Sequence, residues 1–139
     1  MIMRTIIVLS LLALQGFAQV LSAQTLTIEV RGIEKVKGQL YVAFYSSEDT
    51  FLKKPLTGLR VEVTDTVLTI PCQGLPAGEY AFALFQDENG NGRLDTAAFG
   101  IPTEKSGFSN NAEGIMGPPS YDKCLFCLQK DTLMVIDLK

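Results

Sequence analysis

The sequence predicts an all-β domain, folded as an antiparallel β-sandwich. Three observations lead to this prediction. Short segments of alternating apolar and polar residues recur along the chain, and this is the period of a strand with one buried face. Clusters of Gly, Pro, Asn and Asp separate the segments and mark turns. No segment shows the longer apolar period of an amphipathic helix of ordinary length.

The first residues predict an export signal. Met1 to Arg4 is short and basic, and Thr5 to Leu14 is an apolar run that falls short of the roughly 18 residues needed to span a bilayer. Small residues follow, so cleavage is expected after Ala18 or Ala23. An uncleaved membrane anchor is the alternative, and the short run disfavours it. We therefore expect a signal peptide at 1–23 and one domain at 24–139, located in the periplasm or outside the cell.

Seven strands account for most of the predicted domain. The fifth strand, Glu79 to Gln86, has apolar residues on both faces, so we expect it to be central in its sheet. The core is expected to include Leu40, Val42, Phe44, Tyr80, Phe82 and Leu84. About seven short strands at this spacing indicate an immunoglobulin-like or transthyretin-like sandwich. The predicted strands are 26–31, 40–45, 61–63, 67–72, 79–86, 123–128 and 132–138.

One long segment, 96–120, shows no strand pattern and is rich in Gly and Asn. A loop of about 25 residues is uncommon in a small domain and is usually functional or disordered. Its apolar residues, among them Phe99, Ile101 and Phe108, favour a folded loop over a disordered one.

Composition excludes several classes of function. The formal net charge is −3 and no basic cluster occurs, which argues against nucleic acid and against anionic lipid surfaces as partners. Histidine is absent, so the commonest general base and zinc ligand is missing. Cys124 and Cys127 lie in a predicted strand, where three residues span about 10 Å and the thiols face opposite sides. Buried free thiols, or one bridge from Cys72 to either, are the expected states.

The most specific motif is the run from Asp87 to Asp95. Side-chain oxygens occupy its first, third, fifth and ninth positions, and Gly92 occupies the sixth, as in a calcium-binding loop of the EF-hand kind. The twelfth position holds Ala98, where such loops carry a bidentate Glu. The predicted ligands are the side chains of Asp87, Asn89, Asn91 and Asp95, the carbonyl of Arg93, and Glu104 as the replacement for the twelfth ligand. A solvated Asn/Gly turn is the alternative.

Three motifs in order carry a family resemblance: Gly74 to Ala81, Asp87 to Asp95, and Phe99 to Pro119 with its Gly, Asn and Pro residues. Together they resemble a family of exported bacterial proteins known only as a domain of unknown function, DUF2141. The resemblance covers nearly all of the mature chain and implies a small secreted β-sandwich with an acidic Asn/Gly loop. It implies no activity. The pair Cys124 and Cys127 is the visible departure from the family pattern.

We expect a non-catalytic module of the cell envelope, either binding or structural, that calcium stabilises. An unknown glycan or an envelope protein is the expected partner, without a membrane span after signal cleavage. Tyr45, Phe108 and Tyr121 could stack on such a ligand or fill the core instead. The alternative function is a hydrolase of envelope or extracellular glycans, with Glu104 paired to Asp95 or Asp122.

Overall fold

The computed structural model describes residues 23–139, which form two β-sheets and one short helix. The predicted signal peptide, 1–23, lies outside the described residues except for its last residue, Ala23. Two single-turn 3-10 helices, Ala98–Gly100 and Ser109–Asn111, and the helix α1, Tyr121–Cys124, interrupt the strands. The strands are β1 Gln24–Arg31, β2 Gln39–Tyr45, β3 Thr57–Glu62, β4 Leu68–Leu75, β5 Gly78–Asp87, β6 Ser106–Phe108, β7 Phe126–Leu128 and β8 Thr132–Asp137.

The smaller sheet has the order β4-β1-β8 and mixes two directions. β1 pairs antiparallel with β4, but it pairs parallel with β8 over the register from Leu26–Thr132 to Arg31–Asp137. The prediction of a purely antiparallel fold was wrong at this pair. Its cause is topological: β8 returns from the other sheet, so no hairpin forces it to run against β1. An immunoglobulin-like or transthyretin-like topology stays a prediction.

The larger sheet has the order β3-β2-β5, and two short strands share the far edge of β5. β6 pairs with Ala83 to Phe85, and β7 pairs with Gly78 to Tyr80. The predicted central position of β5 is therefore confirmed. Its last residue, Asp87, opens the predicted calcium loop directly at the end of the sheet.

Both sheets contribute to one apolar core. All six predicted core residues on β2 and β5 are buried, as are Leu26, Ile28 and Val30 of β1. Phe82 lies at the centre of this core, where its ring packs edge-on against Phe44 and Phe126 at centroid distances of 5.7 and 5.8 Å. The period of the sequence thus assigned the buried face of these strands correctly.

A second apolar cluster lies on the outer face of the larger sheet, where α1 covers it. Tyr45, Phe51, Ala81 and Cys124 are buried there, and Phe108 and Tyr121 pack against them. Aromatic rings hold the cluster together, because Phe51 contacts both Tyr45 and Tyr121 edge-on. Of the three aromatics considered for ligand stacking, Tyr45 is buried in this cluster, and Phe108 and Tyr121 are partly buried against it.

The predicted strand from Lys123 to Leu128 was wrong in its first half. The chain forms the helical turn α1 up to Cys124, and β7 begins only at Phe126. This turn places Cys124 in the second cluster, and burial there decides the local conformation over strand propensity. All three cysteines are free thiols, so neither possible bridge from Cys72 forms in the structure. Cys72 and Cys124 are buried as expected, but the expectation was wrong for Cys127, which is exposed.

The long segment 96–120 is folded, as expected, but it contains a strand that the sequence pattern did not reveal. β6 adds an eighth strand to the seven predicted. Just after β6, the buried hydroxyl of Ser109 accepts the N–H of Phe82 at 3.0 Å and donates to the carbonyl of Cys124 at 2.5 Å. Among residues 23–139, no helix is long and apolar enough to cross a membrane.

Candidate functional site

The predicted calcium loop curls around the carboxylate of Asp87. Asp87 is buried at the end of β5, where its Oδ1 accepts the N–H of Gly90 at 3.1 Å and its Oδ2 accepts the N–H of Gly92 at 2.8 Å. Both glycines have a left-handed backbone, with φ of 74° and 77°, which residues with a side chain rarely adopt. The two glycines therefore allow the tight curl, and Asp87 fixes it.

Three side chains of the loop meet at Asp95. The amide nitrogens of Asn89 and Asn91 lie 2.5 and 2.6 Å from the two carboxylate oxygens of Asp95. The Oδ1 atoms of the same two amides accept the backbone N–H of Asn91 and Arg93. The third, fifth and ninth positions of the motif thus point to one side of the curl.

This arrangement favours the charged form of Asp95. The amide of Asn91 and then that of Asn89 lower the pKa of the Asp95 carboxyl below its ordinary value of 3.8, because hydrogen bonds to the carboxylate stabilise it. The guanidinium of Arg93, whose Nε is 4.0 Å from Asp95 Oδ1, contributes in the same direction.

Glu104 reaches the loop from the long segment. Its Oε1 accepts the N–H of Glu88 and its Oε2 accepts the N–H of Asp95, each at 3.1 Å. The carboxylate is buried and so joins the two ends of the loop 88–95. Glu104 was the predicted replacement for the twelfth ligand of this loop, and the structure brings it to the loop through backbone amides.

The residues between Asp95 and Glu104 form a small hairpin, 96–103. Thr96 pairs with Pro102, and the N–H of Ala97 donates to the carbonyl of Ile101 at 2.7 Å. At the root of the hairpin, the N–H and the hydroxyl of Thr103 both donate to the Asp95 carbonyl, at 2.9 and 3.1 Å. The hairpin is therefore anchored on the same two acidic residues that close the loop.

The predicted ligands divide into two groups. Asn89, Asn91 and Asp95 converge on one another, whereas Asp87 and Glu104 direct their carboxylates to backbone N–H groups. The Arg93 side chain is largely exposed. Within residues 23–139, no group of three or more carboxylate, thiol or imidazole side chains lies close enough together to hold a metal ion. A cation at this loop would therefore need amide and carbonyl oxygens beside the carboxylates.

A family model described as "Uncharacterized protein conserved in bacteria (DUF2141)" matches residues 28–135. The chain belongs to the DUF2141 family. The match includes the whole loop, the hairpin and Glu104, so the site lies inside the DUF2141 domain. No curated protein and no solved structure matches the chain.

Two carboxylate pairs were considered for hydrolysis, Glu104 with Asp95 and Glu104 with Asp122, and they differ in separation in this DUF2141 domain. Glu104 and Asp95 are adjacent, but Glu104 contacts the backbone N–H of Asp95. Asp122 lies on α1, whose Cys124 packs with Ala81 in the second cluster. Glu104 accepts its hydrogen bonds in the loop that follows Asp87, at the other end of β5. The six residues of strand from Ala81 to Asp87 correspond to about 20 Å. The structure therefore does not bring Glu104 and Asp122 together.

Sequence analysis did not single out Gln86, whose side chain joins β5 to the segment 35–37 beside the loop. Gln86 is fully buried, and its Nε2 donates to the carbonyls of Lys35 and Lys37 at 2.7 and 2.9 Å. The ammonium groups of both lysines lie 3.8 Å from the carboxylate of Glu88. The sequence does carry a signal for Gln86: it is a polar residue at a core-facing position of β5, two residues after the buried Leu84.

Proposed function

We propose that the DUF2141 domain is a non-catalytic binding or structural module of the cell envelope, stabilised by calcium at the loop 87–95. One observation carries the proposal: the alternate residues Asn89 and Asn91 place their amide groups on the carboxylate of Asp95. Alternate residues that converge on one side are what an oxygen-rich loop needs to surround a hard cation.

The donor set suits calcium if the amides of Asn89 and Asn91 turn over. Rotating the two amides by 180° would turn their oxygens, rather than their NH2 groups, toward the carboxylate of Asp95. The rotation would break the bonds that these oxygens accept from the backbone N–H of Asn91 and Arg93, and contacts to the ion would have to offset that loss. Each oxygen of an ionised carboxylate has two lone-pair sites, so Asp87 and Glu104 keep acceptor capacity beside their backbone contacts. Asp87, Asn89, Asn91, Asp95, the carbonyl of Arg93 and Glu104 are the groups that would hold the ion. Calcium bound by few carboxylates belongs to the weak extracellular class, with a Kd of about 10⁻⁴ to 10⁻³ M.

A stabilising role fits the residues better than acid–base chemistry does. Both oxygens of Glu104 accept backbone N–H groups, so this side chain is engaged in holding the loop. The chain has no histidine to act as a general base. The ion would instead fix the root of the hairpin 96–103, leaving the adjacent surface for an envelope glycan or protein. Export of the chain to the periplasm or cell exterior, where calcium is available, is part of this proposal.

Thermal unfolding in chelator and in millimolar calcium tests the proposal. Calcium at about ten times its Kd should raise the free energy of unfolding by about 1.4 kcal/mol, because it binds only the folded state. That corresponds to a rise of about 5 °C in the melting temperature of a domain of this size. Asp95→Asn and the double variant Asn89→Ala with Asn91→Ala should lose this response.

Asp49→Asn is the matched control, since Asp49 is exposed and lies in the connection between β2 and β3. It removes the same charge as Asp95→Asn and should keep the wild-type response to calcium. Asp87→Ala is less suitable, because it also removes the acceptor of two loop amides. A wild-type melting temperature that is the same in chelator and calcium would mean that the motif is a solvated turn.

A further inference from the structure

The tip of the hairpin 96–103 is a run of exposed apolar residues. Ala97 to Pro102 reads Ala-Ala-Phe-Gly-Ile-Pro, with no polar side chain, and every one of these residues is exposed. Phe99 is fully exposed at the turn of the hairpin. Single exposed apolar residues are ordinary, but a contiguous exposed apolar run indicates an interaction site.

The hairpin holds Phe99 outward on a fixed root. Three hydrogen bonds to backbone carbonyls join its two sides: two from Thr103 to Asp95 at the root, and one from Ala97 to Ile101 below the tip. Phe99 itself has a left-handed backbone with φ of 62°, which is unfavourable for an aromatic residue. The hairpin therefore holds the Phe99 ring in solvent, although neither the backbone preference of a phenylalanine nor packing within the domain favours that position.

We propose that the hairpin 96–103 inserts Phe99 and Ile101 into the interface of a zwitterionic lipid bilayer. The tip is convex and small. One phenylalanine buries about 150–250 Å², so a ring and an isoleucine provide much less than the about 800 Å² per partner of a standard protein interface. A bilayer accepts a small convex apolar tip without shape complementarity, and burial of amphipathic or apolar side chains drives such binding.

Charge selects the type of lipid. The six residues of the tip carry no charge. Behind the tip, the four carboxylates of Asp87, Glu88, Asp95 and Glu104 outnumber three cations: Arg93, and Lys35 and Lys37 beside Glu88. The whole chain has a formal net charge of −3. Anionic headgroups would repel this end of the domain, so a neutral phosphatidylcholine surface is the favoured partner.

This inference depends on the hairpin and does not need the proposed calcium site. Calcium at the loop would strengthen binding by neutralising Asp95 and ordering the root. Vesicle binding in chelator supports the hairpin proposal even if the melting temperature does not respond to calcium. A calcium response without vesicle binding overturns the hairpin proposal and leaves the calcium site standing.

A tryptophan at the tip gives a direct test, because the chain contains no tryptophan. The protein is purified in the form that its host accumulates, as Phe99→Trp and, for comparison, as Leu133→Trp. Leu133 lies on β8 and is 61% exposed, as is Ile101 of the tip. On addition of phosphatidylcholine vesicles, the emission of Phe99→Trp should shift to shorter wavelength, while that of Leu133→Trp stays constant.

Vesicle co-sedimentation of unlabelled variants completes the test. Phe99→Asn should lower the partition coefficient about tenfold or more, since the ring supplies most of the apolar contact. It should leave the melting temperature unchanged or higher, because Asn adopts the left-handed backbone readily. Leu133→Asn should bind vesicles like the wild type. The proposal is overturned if neither tip variant differs from its Leu133 control. It is also overturned if the blue shift appears without vesicles as the protein concentration rises, because the tip would then bind a second copy of the chain.

Discussion

Asp95 is ionised more readily in the folded chain than in the unfolded chain, because Asn91 and Asn89 donate hydrogen bonds to its carboxylate. Its pKa in the folded state lies below the ordinary value of 3.8. A lowered pKa contributes stability above the unfolded-state value, and this contribution is lost as pH falls through the folded-state pKa. Asp95 thus favours folding at neutral pH and stops doing so in acid.

We predict that the free energy of unfolding falls less steeply below about pH 4 in Asp95→Asn than in the wild type. The amide cannot be protonated in this range, so the loss tied to Asp95 disappears. Urea unfolding in chelator, at several values between about pH 6 and pH 3, measures the difference. Parallel acid limbs for the two proteins would show that Asn89 and Asn91 do not favour the carboxylate.

The three thiols should differ strongly in reactivity. Burial raises the pKa of Cys72 and of Cys124 to about 11, so at pH 8 only about one buried thiol in a thousand is the reactive thiolate. Cys127 is exposed. A thiol reagent should therefore modify one cysteine quickly in the native protein and all three in denaturant, as counted by mass spectrometry. Rapid native modification of Cys124 would show that α1 does not seal the second cluster.

Spacing predicted which residues of the loop lie together, but it could not assign their hydrogen bonds. The order of Asp87, Asn89, Asn91 and Asp95 fixes where side chains start along a curled chain. The carboxylates that accept backbone amides are the two buried ones, Asp87 at the end of β5 and Glu104, and burial of this kind depends on the fold around the loop. Gln86 was missed for a related reason, since its partners lie about fifty residues away in sequence.

Among the elements, β5 gives the sharpest test of the assigned faces. Phe82 is buried between the sheets, and Phe85 is partly exposed on the outer face, stacked on Tyr41. Phe82→Ala should cost about 3–5 kcal/mol of unfolding free energy, because it removes a core ring and leaves a cavity. Phe85→Ala is the control in the same strand and should cost clearly less, as measured by urea unfolding. Equal costs would contradict the assignment of the buried face.

Elements with alternating apolar residues could be predicted, and elements held by distant contacts could not. β1, β2 and β5 were found because one face of each is apolar along its length. β6 has three residues, and its middle residue is Gly107, so it carries no apolar alternation. The predicted strand 123–128 includes the second half of α1, because a four-residue helix has too few residues to show a helical period.

For the whole molecule, two sheets and a shared core followed from the sequence, but the pairing of β1 with β8 did not. A strand's apolar face predicts burial and gives no information about the direction of its neighbour. Direction follows from the path of the chain between the sheets. The chain crosses from β7 in the larger sheet to β8 in the smaller one through 129–131, and three residues are too few to show a period.

Export is the prediction at this scale. If the signal is cleaved after Ala18 or Ala23, mass spectrometry of the protein from its host should find an N-terminus at Gln19 or Gln24. The basic start, the short apolar run and the small residues before each site are the reasons. Recovery of the chain with an intact Met1 in the soluble cytoplasm would contradict this prediction.

The parallel pair of β1 and β8 has a consequence for the order in which the protein can fold during synthesis. β1 is among the first parts of the domain to be made, and β8 is the last strand. Until Asp137 has left the ribosome, one edge of β1 has no partner and Ile136 is missing from the core. Contacts between strands so far apart in sequence form slowly. The domain therefore cannot complete its smaller sheet, or the core that this sheet shares, until its last strand has been made.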